Sequence, residues 1–376
     1  GLASTAIGAL TAPQLSAFSA GQISALTTAA IGGLTTPDMV ALTSTQVNGL
    51  TSGQVAALTT TQLAALSSTQ IAVLTTSAVT GFTTPAIAAL TTTQVTGLTS
   101  SEVAALTTTQ LGALSSTQIG ALTISAQSGL STTDVVALKT SQIQGLTSAQ
   151  VAAMTVTQLG ALSSSQIGAL TSVSVQGLNI NQMSTAQVAG LTSVQVAALA
   201  TTQIGALSSG QLGILTSVQI GALSTSQVRA LSSSQIGALS SSAIQGLTTA
   251  DVASLASSQI VGLTTAEVVA LTTAQFASMT SGNLVALTTT QVGALSSSQI
   301  GALTTTQIGA LSSSQISALT TVAEAGLTTL DLASLTPTQI AGLRSNQIGA
   351  LSSAQIGALS STQIGALTSA AIPGLT

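Results

Sequence analysis

A large apolar residue returns at every eighth position from Leu2 to Leu178, passing through Phe18, Phe82 and Met154, and again from Leu191 to Leu375, with Met279 in place of one leucine. Between these anchors the order of polar and apolar positions is constant. The stretch LSSSQIGALTTTQIGAL, Leu295 to Leu311, shows it twice: L-[ST]-[ST]-x-Q-[IVL]-[GA]-[AG], with Leu as position 1 and Gln as position 5. Ser or Thr at position 2 followed three residues later by Gln is the capping-box pattern, in which each side chain satisfies the other residue's exposed backbone N–H at a helix start. Leu then falls just before the cap and Ile four residues into the helix, where the two pack as a hydrophobic staple. Each octad therefore predicts one short helix.

The prolines agree with this frame. Pro13, Pro37, Pro85 and Pro337 fall at position 3 or 4, in the first helical turn, where a missing N–H is harmless. Pro373 precedes Gly374 late in its octad, where a helix must be ending. Asp38, Asp134, Asp251, Asp331, Glu102 and Glu267 take the Gln position, where a negative charge meets the positive end of the helix dipole. They are read as caps and not as metal ligands.

A helix of roughly six residues is only ~9 Å long, and isolated helices under about 12 residues are marginal in water. Neighbours must supply the stability. Leu and Ile directed inward, small Gly and Ala at the octad ends and a reversal in every octad predict a tight coil around a continuous apolar spine. The expected fold is all-α, a solenoid of tandem short helices spanning 1–376 as one repeat array, with a register irregularity at 179–183, where NINQM reads as an octad shortened by three residues. The alternative is a β-solenoid, since Thr, Ile and Val favour strands. Against it, Leu and Ile of one octad are five residues apart and would point to opposite faces of a strand.

A longer period lies over the octad. In the octads ending at Leu34, Phe82, Leu130 and Leu178, Ala or Ser replaces Gln and Gly precedes the large apolar residue. These ends are six octads apart. Later marked octads end at Leu247, Leu327 and Leu375, so one interval widens to ten octads. Marks of this kind are expected to form a stripe along the coil. Two octads per coil and three both remain compatible with the spacing.

Composition narrows the function. Charged residues make up 3% of the chain, against about a quarter in ordinary soluble domains, so the surface is hydroxyl and amide. Three scattered cations (Lys139, Arg229, Arg344) cannot neutralise a run of phosphates, and with three Phe and no Trp or Tyr there is no stacking platform, so no nucleic-acid partner is expected. Hydroxyl residues interrupt every octad, which leaves no apolar run of transmembrane length. The absence of Met at residue 1 and the break in the pattern at Thr376 suggest a segment of a longer polypeptide.

Candidate chemistry is sparse. There is no His and no Cys, and the closest carboxylates, Glu324 and Asp331, are seven residues apart. A serine nucleophile would need a base held against it. No catalytic, cofactor-binding or metal-binding residue is assigned, and no enzyme activity is expected. Glu324 and Gln127 replace Ile at position 6 of marked octads and read as local adjustments. Ser296→Ala and Gln299→Ala, both cap changes, are each expected to cost about 0.5–2 kcal/mol.

The phrase LTTTQIGALSSSQIGAL resembles the Leu-Thr-Thr-x-Gln-Ile/Val-x-Ala-Leu arrays of very long bacterial surface proteins, often labelled haem-utilisation, haemagglutinin-like or adhesin proteins, over essentially the whole chain. That resemblance implies an elongated extracellular protein and carries over no functional residue. The expected role is a structural protein that assembles with copies of itself into a filament, fibre or sheath. The alternatives are an adhesin stalk and, if the octads were strands, an ice-binding Thr ladder.

Overall fold

The computed structural model describes residues 3–375. Among them are 43 α-helices of four to six residues and four short 3-10 helices, with no strand. The all-α expectation holds and the β alternative does not. Far-UV circular dichroism should accordingly show helical minima, and a single strand-type minimum would contradict the fold.

Most helices start as the octad predicts, and the exceptions include those whose cap residue is Ala, Lys or Arg or whose Gln is replaced by Ala. Ser296 accepts from the backbone N–H of Gln299 at 3.2 Å, and the Gln299 side chain accepts from the N–H of Ser296 at 3.1 Å. Corners need only two extended residues, as at Leu319 (φ −59, ψ 137) and Thr320 (φ −77, ψ 158), before the next helix begins. No described residue has a positive φ.

Contacts divide the chain into two compact units, Gly1–Leu191 and Thr192–Thr376. The boundary falls one octad beyond the short NINQM segment. In the first unit each helix packs mainly on the third one along, as Ala20–Ser24 does on Ser44–Asn48. In the second unit Thr305–Gly309 packs in the same way on Thr329–Ser334. Three octads therefore close one coil, which resolves the choice that spacing left open. Positions 1 and 6 turn inward along the middle of each unit, where Ile119, Leu122, Ile300 and Leu303 are all buried, while Ile372 and Leu375 in the last octad are exposed.

Glycine at position 8 serves close approach rather than unusual dihedrals. A Cβ on Gly97 would lie 2.1 Å from the carbonyl oxygen of Ser68 in the coil beneath, and one on Gly262 would lie 2.3 Å from that of Ser233. The facing residue, at position 3, is small: Ser52, Ser68, Ser100 and Ser116 oppose Gly81, Gly97, Gly129 and Gly145. Gly97→Ala should therefore destabilise the first unit by about 1–3 kcal/mol, the usual range for overpacking. Gly160, with nothing within 4 Å of its Cβ position, should tolerate alanine with no loss, as denaturant melts of the two variants would show.

The irregular segment is accommodated within a coil. Residues Ile180–Gln182 make one 3-10 turn, with Ile180 and Met183 buried. Gln187, just after it, reaches the carbonyls of Leu159 and Leu162, 28 and 25 residues back, whereas Gln166 reaches back 31 and 28. NINQM thus forms a complete side of a coil with three residues fewer.

In the first unit the marked octads recur on the same side in every second coil, because six octads make two whole coils, and this gives the expected stripe. In the second unit the ten octads between Leu247 and Leu327 amount to three coils plus one octad, so the mark steps to the neighbouring side.

Candidate functional site

The most elaborated polar feature is a joint repeated between successive coils. Gln at position 5 was expected to be a surface cap, but it is buried: Gln299 is 2% exposed. Its Oε1 serves the cap, and its Nε2 donates to the carbonyls of Val268 at 2.8 Å and Leu271 at 3.3 Å in the previous coil. Gln118 donates in the same way to Ile87 and Leu90, and Gln315 to Leu284 and Leu287. One amide thus links its own helix start to a helix end in the coil beneath. The small cost expected for Gln299→Ala is accordingly corrected upward. Burial was hard to foresee because the Gln that closes a capping box, three residues after the cap, usually lies at the surface of a longer helix. Here the helix is so short that its first turn is also its interior.

Shorter side chains in the Gln position show what the joint requires. Asn283 reaches only the Leu255 carbonyl, at 2.8 Å. Ser174, in the marked octad that ends the series in the first unit, bonds the Leu146 carbonyl through its hydroxyl. Asp251 and Asp331 keep to their caps, and each takes a second bond from a Thr hydroxyl one coil back, Thr225 at 2.8 Å and Thr305 at 3.0 Å. For these two the dipole-matched cap reading stands, with a cross-coil bond added. Glu102 and Glu267 cap as expected, at Thr99 and Thr264, but each leaves its other oxygen buried without a partner.

Glu324 is the strongest local anomaly. It occupies an Ile position in the spine, is 1% exposed, and neither carboxyl oxygen has a hydrogen-bond partner. Burial pushes its pKa up to about 8. Gln127, at the equivalent position in the first unit, satisfies its Nε2 on the Gln150 carbonyl at 2.9 Å while its Oε1 goes unpaired. Because the folded pKa of Glu324 lies above its unfolded value, the stability tied to its neutral form is complete below the ordinary carboxylate range and is lost as pH rises towards about 8. Between about pH 5 and about pH 8 the second unit should lose at least about 1 kcal/mol that a Glu324→Ile variant keeps. Parallel pH profiles for the two proteins would contradict this.

The remaining surface offers little chemistry. No group of three or more His, Cys, Asp or Glu is close enough to hold a metal ion, and no helix is long and apolar enough to cross a membrane, among the described residues. Lys139 donates to the Gly112 carbonyl and Arg344 to the Ser317 hydroxyl. Arg344 borders a shallow groove of Thr289, Ser313, Ser314 and Ser317.

Helix starts tied to helix ends one coil below, three to a coil, define an α-solenoid built on an eight-residue repeat. The chain belongs to the ALTTAQ repeat family, which matches residues 21–52, 87–124, 128–163, 178–209, 195–225, 206–241, 215–249, 244–281, 268–305, 276–313, 284–321, 325–361 and 345–376. No curated protein matches. Among solved structures, the leucine-rich repeat-containing protein LegL7 from Legionella pneumophila is similar over 62% of this chain and 78% of its own, at 12% identity and a TM-score of 0.18. A likeness that slight carries no argument.

Proposed function

We propose that this is an extracellular structural protein whose coils associate side by side with copies of the same chain to build a filament, fibre or sheath. The observation that supports this reading best is the division of polar labour in the repeat. Gln amides are consumed inside the coil, so each side presents mainly the exposed hydroxyl residues of positions 2 and 4, such as Ser296, Ser298, Thr304 and Thr306, recurring once in every coil. Identical neutral patches can pair repeatedly, and a chain with 3% charged residues has little like-charge repulsion to keep copies apart.

Contacts of this kind rest on neutral hydrogen bonds and burial, so salt should hardly affect them. Sedimentation at low and at ~1 M salt tests the reading, because Debye screening over that range suppresses ion-pair contacts. Assembly in both conditions is expected. A stable monomer in both would leave the stalk of a surface adhesin, the reading favoured by the resemblance of the repeat to adhesin-like arrays. An ice-binding Thr ladder loses its premise with the strands on which it depended.

A further inference from the structure

Two carboxyl groups sit in the coil joint itself. Glu102 in the first unit and Glu267 in the second stand where the repeat has Gln, and both are buried. One oxygen of each performs the cap: Glu102 accepts from the N–H and hydroxyl of Thr99 at 2.6 and 2.7 Å, and Glu267 accepts from the N–H of Thr264 at 2.6 Å. The other oxygen, Oε1, is buried with no partner.

Glutamate and glutamine have the same length, so that oxygen takes the place from which Gln Nε2 donates to the carbonyls 31 and 28 residues earlier. The same spacing assigns the carbonyls of Ile71 and Leu74 to Glu102, and those of Ile236 and Leu239 to Glu267. A carboxylate only accepts and has nothing to offer a carbonyl, whereas a protonated carboxyl carries one O–H donor. Asp251 and Asp331 at this position avoid the conflict, because the second oxygen of each receives a Thr hydroxyl from the coil beneath.

Apart from the donors of its own cap, no group on the helices packed against either glutamate favours the charged form. The helix Ser100–Ala105 packs on Thr76–Val79 and Ile124–Gln127, and the helix Thr265–Ala270 packs on Ile244–Gly246 and Thr289–Gly293. None of these four neighbours contains a charged or titratable residue. Each carboxyl group therefore faces only its own cap and backbone carbonyls.

We propose that Glu102 and Glu267 are held as neutral acids that donate to the coil beneath as glutamine does, and that loss of these protons loosens one coil joint in each unit. Burial raises both pKa values above the ordinary carboxylate range, which the cap hydrogen bonds only partly oppose. With folded values above unfolded ones, the joints are tight in acid and loosen as pH rises through the folded values. The array thus carries a pH-sensitive element in each unit, although it has no histidine.

The test uses the whole chain and the double variant Glu102→Gln/Glu267→Gln, which restores the commonest residue at both sites and leaves Glu324 in place, so that its own titration cancels in the comparison. Two readouts are needed: the protonated-carboxyl stretch in the infrared and the melting temperature, each followed from acid to alkaline pH. The wild type is expected to show more protonated-carboxyl absorbance than the variant in the folded state above the ordinary carboxylate range. As that excess titrates away, the wild-type melting temperature should fall relative to the variant by at least about 2 °C. Equal absorbance in the two proteins, or melting temperatures that stay parallel across the titration, would overturn the proposal.

Discussion

Replacing Ile300 by aspartate should cost the second unit about 4 kcal/mol or more, enough to abolish its cooperative melting near Leu295–Leu311. Ile300 has no exposed surface and lies in the spine with Leu295 and Leu303. An aspartate there would bring a charge into the buried spine, with no cation on the neighbouring helices Thr273–Ala277 and Thr321–Glu324 and with the buried carboxyl of Glu324 on the second of them. It would also remove the Ile that staples the helix start to the preceding Leu. Damage should stay local, since each coil of a solenoid contacts only its neighbours. Hydrogen exchange should therefore report loss of protection around residue 300 first. A variant as stable as Ser296→Ala would mean that the Ile positions do not form a core.

Replacing Gln299 by leucine should be the next most damaging change, about 3–5 kcal/mol. Leucine matches the apolar surroundings but makes none of the polar contacts. The Ser296 N–H loses its acceptor at a partly exposed site, and the carbonyls of Val268 and Leu271 lose their donor away from water. Each buried group left unsatisfied costs about 1–3 kcal/mol. Ser296→Ala, which removes a single cap acceptor at a partly exposed site, should stay within about 0.5–2 kcal/mol. Chemical denaturation of the two variants separates the accounts. Equal losses would show that Gln299 is only a cap, and a larger loss for Gln299→Leu shows that it also joins coils.

The single octad was legible because helix-start chemistry is local: Ser296, Gln299, Leu295 and Ile300 all act within one phrase of the repeat. What the octads do to each other was harder to read. A Gln that caps its own helix looks the same in sequence whether its Nε2 faces water or two carbonyls in the preceding coil. The number of octads per coil did leave a trace in the glycines. Gly81 and Gly97 meet Ser52 and Ser68, which stand at position 3 three octads back, and two octads back they would meet the bulkier Thr60 and Thr76. The marked stripe was half legible: its six-octad period is two coils, but the ten-octad interval in the second unit is not a whole number of them. Glu324 stood out in the sequence by replacing Ile at position 6, whereas Glu102 and Glu267 carry the least sequence signal. Their significance comes from burial, and a cap at the surface of a longer helix would have the same spelling.

Paired spin labels test directly whether three octads close each coil and are held by glutamine joints. The chain has no cysteine, so two labels can be placed at will on the exposed fourth positions Ser298, Ser314 and Val322. Ser298→Cys with Val322→Cys places labels three octads apart, and Ser298→Cys with Ser314→Cys places them two octads apart. In a three-octad coil, the Ser298 and Val322 pair stacks on one side and gives the shorter separation by electron–electron resonance. A shorter separation for the Ser298 and Ser314 pair would mean two octads per coil and would contradict the joint, the glycine contacts and the spine together.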